Sequence, residues 1–393
     1  MLKKFMSVLV VALVCVCSCF MVGCGNKSEK NTIVIGGMGP LTGGASVYGK
    51  AVYNSAKLAV DEINAAGGLK NGLKLELQFL DDAHDATKVA ANYYDLLENK
   101  GMQVSLGCVT TTPCLEFKKL SKDDNVFFMT PSASNDDVPA NANGYQMCFA
   151  DGKQGAYAAS YVNSNYAGQK IGVFYKADDN YSKGIYDQFK AALVNVETVD
   201  TSFTGEGTDF SSQIDTLKDA GVKFVFMPIY YGPASLFMSQ ANQKSAFASD
   251  AVFFGCDGFD GIESMEGFSL SSIPQEVSML SHFDSSATEG AAAEFIAKYT
   301  EKYGKDTLNQ FGASAYDAVY ALVAAMNAAE EAKPGTIKGD MTASELCEVL
   351  KAQFQGGFKF KGVTGAAGTD MSWDANGYVS KVAVKYTLKA ASK

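Results

Sequence analysis

Two short clusters of hydroxyl side chains stand at matching points of the chain. Thr110-Thr111-Thr112 follows an apolar run that ends at Gly107, and Thr130, Ser132 and Ser134 follow another that ends at Met129. Hydroxyls and backbone N–H groups at strand ends and helix starts donate hydrogen bonds to an anion such as a carboxylate. All 33 basic residues are lysines, so the bidentate guanidinium fork is not available for that task. An anionic acceptor for a cation stands at Asp257, between Cys256 and Gly258. Each feature has a plainer use: the hydroxyls could cap the helices that follow, and Asp257 could brace a turn. The position of both clusters after successive strands favours binding, because open α/β sheets hold ligands beyond the carboxyl ends of their strands.

Other chemistries find little footing. Gly37, Gly39 and Gly43 follow a strand-like run, but the spacing is GxGxxxG and Pro40 intrudes. The acid due about 20 residues on in a dinucleotide site falls at Asp61-Glu62, inside a helical pattern. There is no GxSxG elbow, so a Ser/His/Asp triad would need one of the two histidines, His84 or His282. His84 follows Asp81-Asp82 and reads as a turn residue. No CxxC pair or His motif has metal-ligand spacing, and neither a metal nor a cofactor is expected. A net charge of -10 and a pI near 4.9 argue against nucleic acid as a partner.

The elements that must position these residues alternate in the α/β manner. The pattern predicts a first strand over Ile33 to Ile35 that breaks at Gly36-Gly37, then a Pro/Gly-rich loop carrying Tyr48. A helix follows, with Ala56, Ala59, Val60 and Ile63 at helical spacing, and Gly67-Gly68 stops it. Further strands are predicted over 73–80, 104–107 and 126–129, with a helix over 86–98. After the polar, glycine-containing segment Asp151 to Gly155, a second series begins near Lys170, with strands predicted over 171–175, 196–203, 223–228, 251–255 and 277–280. Helices are predicted over 182–193, 210–220, 287–303, 313–329 and 343–354, before β-like runs at 358–360 and 379–388. Such alternation implies parallel, doubly wound sheets. A chain of 393 residues, 47% hydrophobic, is long enough for two such lobes, each with its own core.

The amino terminus reads as a targeting segment. Lys3 and Lys4 precede an apolar run from Phe5 to Val22 that ends in Met21-Val22-Gly23-Cys24. A run of this length could also just span a bilayer as a helix. The Gly23-Cys24 junction and the polar stretch 25–30 resemble a bacterial lipoprotein, which makes residues 1–23 a signal peptide, Cys24 the lipidated residue and 24–31 a tether. Acyl chains would then anchor the protein to the membrane without spanning it. Four of the nine cysteines lie in this leader. Cys108, Cys114, Cys148, Cys256 and Cys347 remain, an odd and scattered set expected to be mostly free and buried.

The order of landmarks resembles a known family. The Gly39-Pro40-Leu41-Thr42-Gly43 loop with Tyr48, the run Ala59-Val60-Asp61-Glu62-Ile63-Asn64 before Gly67-Gly68, Asp81-Asp82, the threonine cluster and Thr130-Pro131-Ser132-Ala133-Ser134 are similar to the leucine/isoleucine/valine-binding family. These are type I periplasmic solute-binding proteins of ABC importers. The resemblance covers the mature chain in element order and implies two doubly wound parallel-sheet lobes joined by a three-segment hinge, with the ligand between them. Lobe 1 would comprise 32–148 and 283–360, and lobe 2 149–282 and 361–393.

Carried over position by position, the resemblance makes Thr111 and Ser134 hydroxyl contacts of an amino acid's head group. The Ser132 carbonyl would accept from its ammonium, and Asp257 would pair with that ammonium. Tyr48 and Phe311 would line the side-chain pocket, and Tyr181 and Tyr230 would be cleft aromatics. His84 stands where relatives have a cysteine, and Asp260 adds an acid nearby. The implied function is extracytoplasmic capture of a small amino acid, branched-chain or otherwise apolar, or a related amide, by a monomer that delivers it to ABC permease subunits. The same module could instead serve as a sensor acting through a partner receptor, and a secreted α/β enzyme is the competing class.

Overall fold

The computed structural model describes residues 30–139, 143–365 and 369–392. The leader and Cys24, where lipidation is expected, lie outside the described residues. A first sheet contains β1 (Thr32–Gly39), β2 (Lys74–Asp81), β3 (Val104–Ser105), β4 (Phe128–Thr130) and β5 (Gly144–Gln146), all parallel, in the order β2-β1-β3-β4-β5. A second contains β6 (Lys170–Lys176), β7 (Glu197–Phe203), β8 (Phe224–Met227), β9 (Val252–Gly255) and β10 (Glu276–Ser281). After a small hairpin of β11 (Lys359–Phe360) and β12 (Met371–Ser372), the strand β13 (Val384–Lys389) joins the second sheet antiparallel, beside β10. The resulting order is β13-β10-β9-β8-β6-β7. The chain therefore passes between the sheets after β5, after β10 and before β13, which makes the three-segment hinge of a two-lobed α/β fold.

The helices are α1 (Ser46–Ala65), α2 (Val89–Tyr94), α3 (Thr111–Asp123), α4 (Asp151–Asn165), α5 (Asn180–Ala192), α6 (Ser211–Asp219), α7 (Tyr231–Gln243), α8 (Gly290–Tyr303), α9 (Gln310–Ala332) and α10 (Ala343–Gln355). In α1, Ala56, Ala59, Val60 and Ile63 are buried as their spacing predicts, and Val52 is buried with them. Burying one large apolar side chain contributes about 1.5–3 kcal/mol. The Asn64 side chain then bonds the backbone of Leu75 in both directions at 2.8 Å, fastening α1 to β2. Glu62 accepts from the hydroxyls of Tyr316 and Tyr320 at 2.5 and 2.9 Å, tying α1 to α9.

Several expectations are corrected. β1 does not break at Gly36-Gly37 but runs on to Gly39. Its glycines are there for close packing, since a Cβ at Gly36 would collide with Met102 and one at Gly39 with Val109. Tyr48 lies in the first turn of α1 and not in the loop. The helix predicted over 86–98 is divided into a 3-10 turn, α2 and a π turn over Asp95–Asn99. The stretch 361–393 divides between the sheets: the Trp373 indole donates to the Gln146 carbonyl in β5 at 2.8 Å, while β13 pairs with β10.

The polar segment Asp151 to Gly155 is the first turn and more of α4, and α7 and β5 had no expectation at all. Gly152 and Gly155 made α4 look like a linker, and Gly232-Pro233 did the same for α7, although proline is tolerated in a first helical turn. At Gly155 an added Cβ would lie 2.8 Å from the Phe189 nitrogen and 2.9 Å from the Ile185 oxygen, both backbone atoms of α5. Gly155→Ala is therefore expected to destabilise the fold by about 1–3 kcal/mol, although alanine in a helix interior ordinarily gains ~1 kcal/mol over glycine. Urea unfolding of the two proteins checks the sign.

Candidate functional site

On the first lobe, side chains of the strand-end loops build the wall on which the site stands. Asp81, the last residue of β2, accepts from the Leu41 nitrogen at 2.8 Å, the Thr42 hydroxyl at 2.6 Å and the Ala83 nitrogen at 2.8 Å. The amides of the glycine-rich loop are thus engaged by a carboxylate, which is the wrong environment for a phosphate. The Thr130 hydroxyl donates to the Cys108 carbonyl at 2.9 Å and accepts from the Ala133 nitrogen at 3.0 Å, binding the two hydroxyl-bearing loops to each other. Thr110 stands at the start of α3 without capping it. Its hydroxyl is shared instead with Nδ1 of His84 at 2.9 Å, so the first-turn N–H groups of α3 keep their capacity to bind an anion. Asn309 caps α9 through the nitrogens of Phe311 and Gly312 and so fixes the Phe311 ring, which meets Tyr48 edge-on at 5.0 Å.

The second lobe supplies Tyr181, Tyr230 and Asp257. Asp179 caps α5 through the Ser182 nitrogen at 2.9 Å, which sets Tyr181 in the helix's first turn. The Tyr181 ring stacks on Tyr230 at 4.6 Å, and its hydroxyl donates to Oδ1 of Asp257 at 2.6 Å while accepting from the Gly258 nitrogen at 2.9 Å. Only glycine fits at 258, where a Cβ would lie 2.7 Å from that hydroxyl and 2.8 Å from the Ile229 oxygen. The other oxygen of Asp257, Oδ2, is buried without a partner. Between the lobes, the Tyr48 hydroxyl donates to the Gly258 carbonyl at 2.5 Å and accepts from the Tyr231 nitrogen at 3.3 Å.

The structure brings together all eight residues singled out in the sequence. Tyr48, Thr111, Ser132, Ser134, Tyr181, Tyr230, Asp257 and Phe311, with Val109 and Thr110, line one cavity with about 10 Å³ of free space. That is room for about one water molecule, so the lobes must part for a larger ligand to enter. Asp260 does not line it, because its carboxylate accepts from the Gln310 nitrogen at 2.8 Å at the start of α9. His84 stands behind the wall, against Thr110 and edge-on to Tyr230.

Sequence reasoning passed over two residues behind the opposite wall, Asp151 and Gln154. The only signal for them was an Asp-x-x-Gln spacing in what looked like a loop. Burial pushes the Asp257 carboxyl up to about 7, and Asp260, likewise desolvated, up to about 6. Burial also raises the Tyr48, Tyr181 and Tyr230 hydroxyls and lowers His84, which keeps all four neutral at neutral pH. The cavity therefore offers neutral donors on one lobe, an orphaned carboxyl oxygen on the other and aromatic rings between them. That arrangement suits a small molecule carrying separated negative and positive groups.

The sequence profile described as periplasmic binding protein matches residues 32–378. The chain is similar to Leu/Ile/Val-binding protein homolog 3 of Brucella melitensis, 31% identical over 236 residues, which are 59% of this chain and 62% of that protein. The match thus spans less than two thirds of that relative's length. Among solved structures, the branched-chain amino acid transporter substrate-binding protein LivJ of Streptococcus pneumoniae, in complex with isoleucine, is 25% identical with a TM-score of 0.77, covering 92% of this chain and 96% of its own. A solute-binding protein of an ABC transporter from R. palustris, in complex with benzoate, shares the fold at 17% identity and a TM-score of 0.73, covering 91% of this chain and 93% of its own.

The bond between Tyr48 and Gly258 joins the two lobes directly. A net hydrogen bond contributes about 0.5–1.5 kcal/mol, so Tyr48→Phe is expected to lower the closed-to-open ratio of the ligand-free protein about two- to tenfold. Small-angle X-ray scattering should show a larger radius of gyration for the variant, and an unchanged radius would contradict this role.

Proposed function

We propose that this protein, which belongs to the periplasmic binding protein family among its leucine/isoleucine/valine-binding relatives, is the solute-binding component of an ABC importer. Its ligand is a small zwitterionic amino acid with a branched-chain or other apolar side chain, or a related amide. The observation that supports this reading most is the opposition, across one small cavity, of the Thr111 and Ser134 hydroxyls to the unpartnered oxygen of Asp257. A carboxylate can take hydrogen bonds from those hydroxyls and from the first turn of α3. An ammonium can donate to Asp257 and to the Ser132 carbonyl. The side chain would then rest against Tyr48 and Phe311, with Tyr181 and Tyr230 closing over it.

Binding works by hinge closure. A ligand that touches both lobes favours the closed state by its differential affinity for that state, and the permease reads closure as the signal to accept cargo. The family implies an extracytoplasmic location. Among the described residues no helix is long and apolar enough to cross a membrane, and Cys24, once lipidated, would supply the anchor. ATP hydrolysis belongs to a partner subunit.

A thermal-shift screen of free amino acids tests the reading. A ligand present at a hundredfold excess over its Kd stabilises the fold by about 2.7 kcal/mol, which raises the melting temperature by several degrees. Thr111→Ala and Asp257→Ala should each abolish the rise while leaving the circular dichroism spectrum unchanged. The reading is lost if no amino acid, amide or small organic acid shifts the transition, and turnover by the purified protein alone would favour an enzyme.

A further inference from the structure

One histidine stands at the seam between the lobes with no role in the scheme above. The turn that carries it, Asp81-Asp82-Ala83-His84-Asp85, begins at the end of β2 and is left-handed at two successive residues, Ala83 (φ 52°) and His84 (φ 62°). Neither is glycine, and a Cβ makes that conformation costly. Side-chain carboxylates hold the turn in place. Asp81 accepts from the Ala83 nitrogen at 2.8 Å, and Asp82, fully buried, accepts from the His84 nitrogen at 2.9 Å. A turn alone would be served at lower cost by glycine or asparagine, and strain of this kind persists where it places a working group.

The working group is the imidazole. On the first lobe its Nδ1 shares a hydrogen bond with the Thr110 hydroxyl at 2.9 Å. Thr110 lines the cavity and stands directly before Thr111 and α3. The same ring meets Tyr230 of the second lobe edge-on, with centroids 5.6 Å apart. Other second-lobe groups face it as well: Asp179 at the start of α5, Lys176 at the end of β6, and Glu206, while Asp85 faces it from its own turn. Tyr230 stacks on Tyr181 at 4.6 Å, and the Tyr181 hydroxyl donates to Asp257 at 2.6 Å. A row of contacts therefore runs from Thr110 through His84, Tyr230 and Tyr181 to Asp257, joining the hydroxyl wall to the acidic wall. Only its His84–Tyr230 link crosses between the lobes, so parting the lobes breaks the row there.

We propose that His84 is a positioning residue that latches the closed cleft, its imidazole fixing the Thr110 hydroxyl on one lobe and receiving the Tyr230 ring of the other. This rests on the capture reading above and deepens it. His84 does not line the cavity, so it acts on a ligand through Thr110 and Tyr230 and not by touching it. A contact made only in the closed state slows the reopening that lets a ligand leave, and it has no part in the encounter with the open cleft. Its loss shows in the dissociation rate, with association unchanged. One edge-on aromatic pair and one hydrogen bond together correspond to an about five- to hundredfold change in that rate.

The test combines stopped-flow binding of isoleucine and alanine to the mature chain with carbon-13 spectra of the histidine rings. The chain has two histidines, and His282, buried against the Ser314 hydroxyl at 2.7 Å, serves as the fixed reference. His84→Ala should release ligand about five- to hundredfold faster at an unchanged association rate. His84→Asn, whose amide can still reach Thr110 and which tolerates a left-handed backbone, should recover part of that loss. In the ligand-free protein, Tyr230→Leu should shift the His84 signal and leave that of His282 in place. A lower melting temperature with unchanged dissociation in His84→Ala would reduce His84 to a turn residue and overturn the latch, as would a His84 signal indifferent to Tyr230→Leu. If neither amino acid binds the wild type, the amino-acid reading falls, and the His84 signal in Tyr230→Leu alone decides the latch.

Discussion

The hydroxyl of Tyr48 on the carbonyl of Gly258 is the contact that ties the arrangement of the two lobes to the cavity wall, beside other bonds that cross between them such as Asn180 with Thr112. It is a single hydrogen bond, but both ends are fixed by structure on their own side. Tyr48 is placed by α1, which the Asn64 clamp and the Glu62 hydroxyl pair fasten to β2 and α9. Gly258 is placed by Tyr181, whose hydroxyl lies where any side chain at 258 would have to go. The same Tyr181 hydroxyl holds one oxygen of Asp257, while the other is buried without a partner. Closure of the lobes and orientation of the acid are therefore consequences of one local geometry.

Under the proposed function, a site without arginine would draw its selectivity from burial. Neutral hydroxyls and helix-start amides bind a carboxylate without bringing a fixed positive charge into the cleft. The opposite wall carries Asp257, whose carboxyl burial pushes up to about 7. On the proposed reading a dipolar ligand would satisfy both walls, whereas a molecule with one charge would leave a buried polar group without a partner.

How far the sequence could be read depended on how each residue announces itself. The hydroxyl clusters were legible because they follow apolar runs in register with the α/β alternation, and the resemblance to a known family placed the aromatics and Asp257. The strands were legible where apolar residues cluster, except that β1 was cut short, because glycines chosen for close packing against Met102 and Val109 look the same as glycines chosen for a turn. Helix α4 was hidden for the same reason: Gly155 is there to let α5 approach. With α4 unread, Asp151 and Gln154 had no face of a helix to share, and their convergence on Asp257 is a tertiary fact that no local pattern carries.

The described cysteines Cys108, Cys114, Cys148, Cys256 and Cys347 are all free and all buried. In an oxidising compartment that combination makes folding a race. A thiol sealed in a core is out of reach of exchange, whereas the unfolded chain presents all of them to oxidants and to other thiols. In such a compartment, packing that finished before cross-linking began would guard the chain against mispaired disulfides.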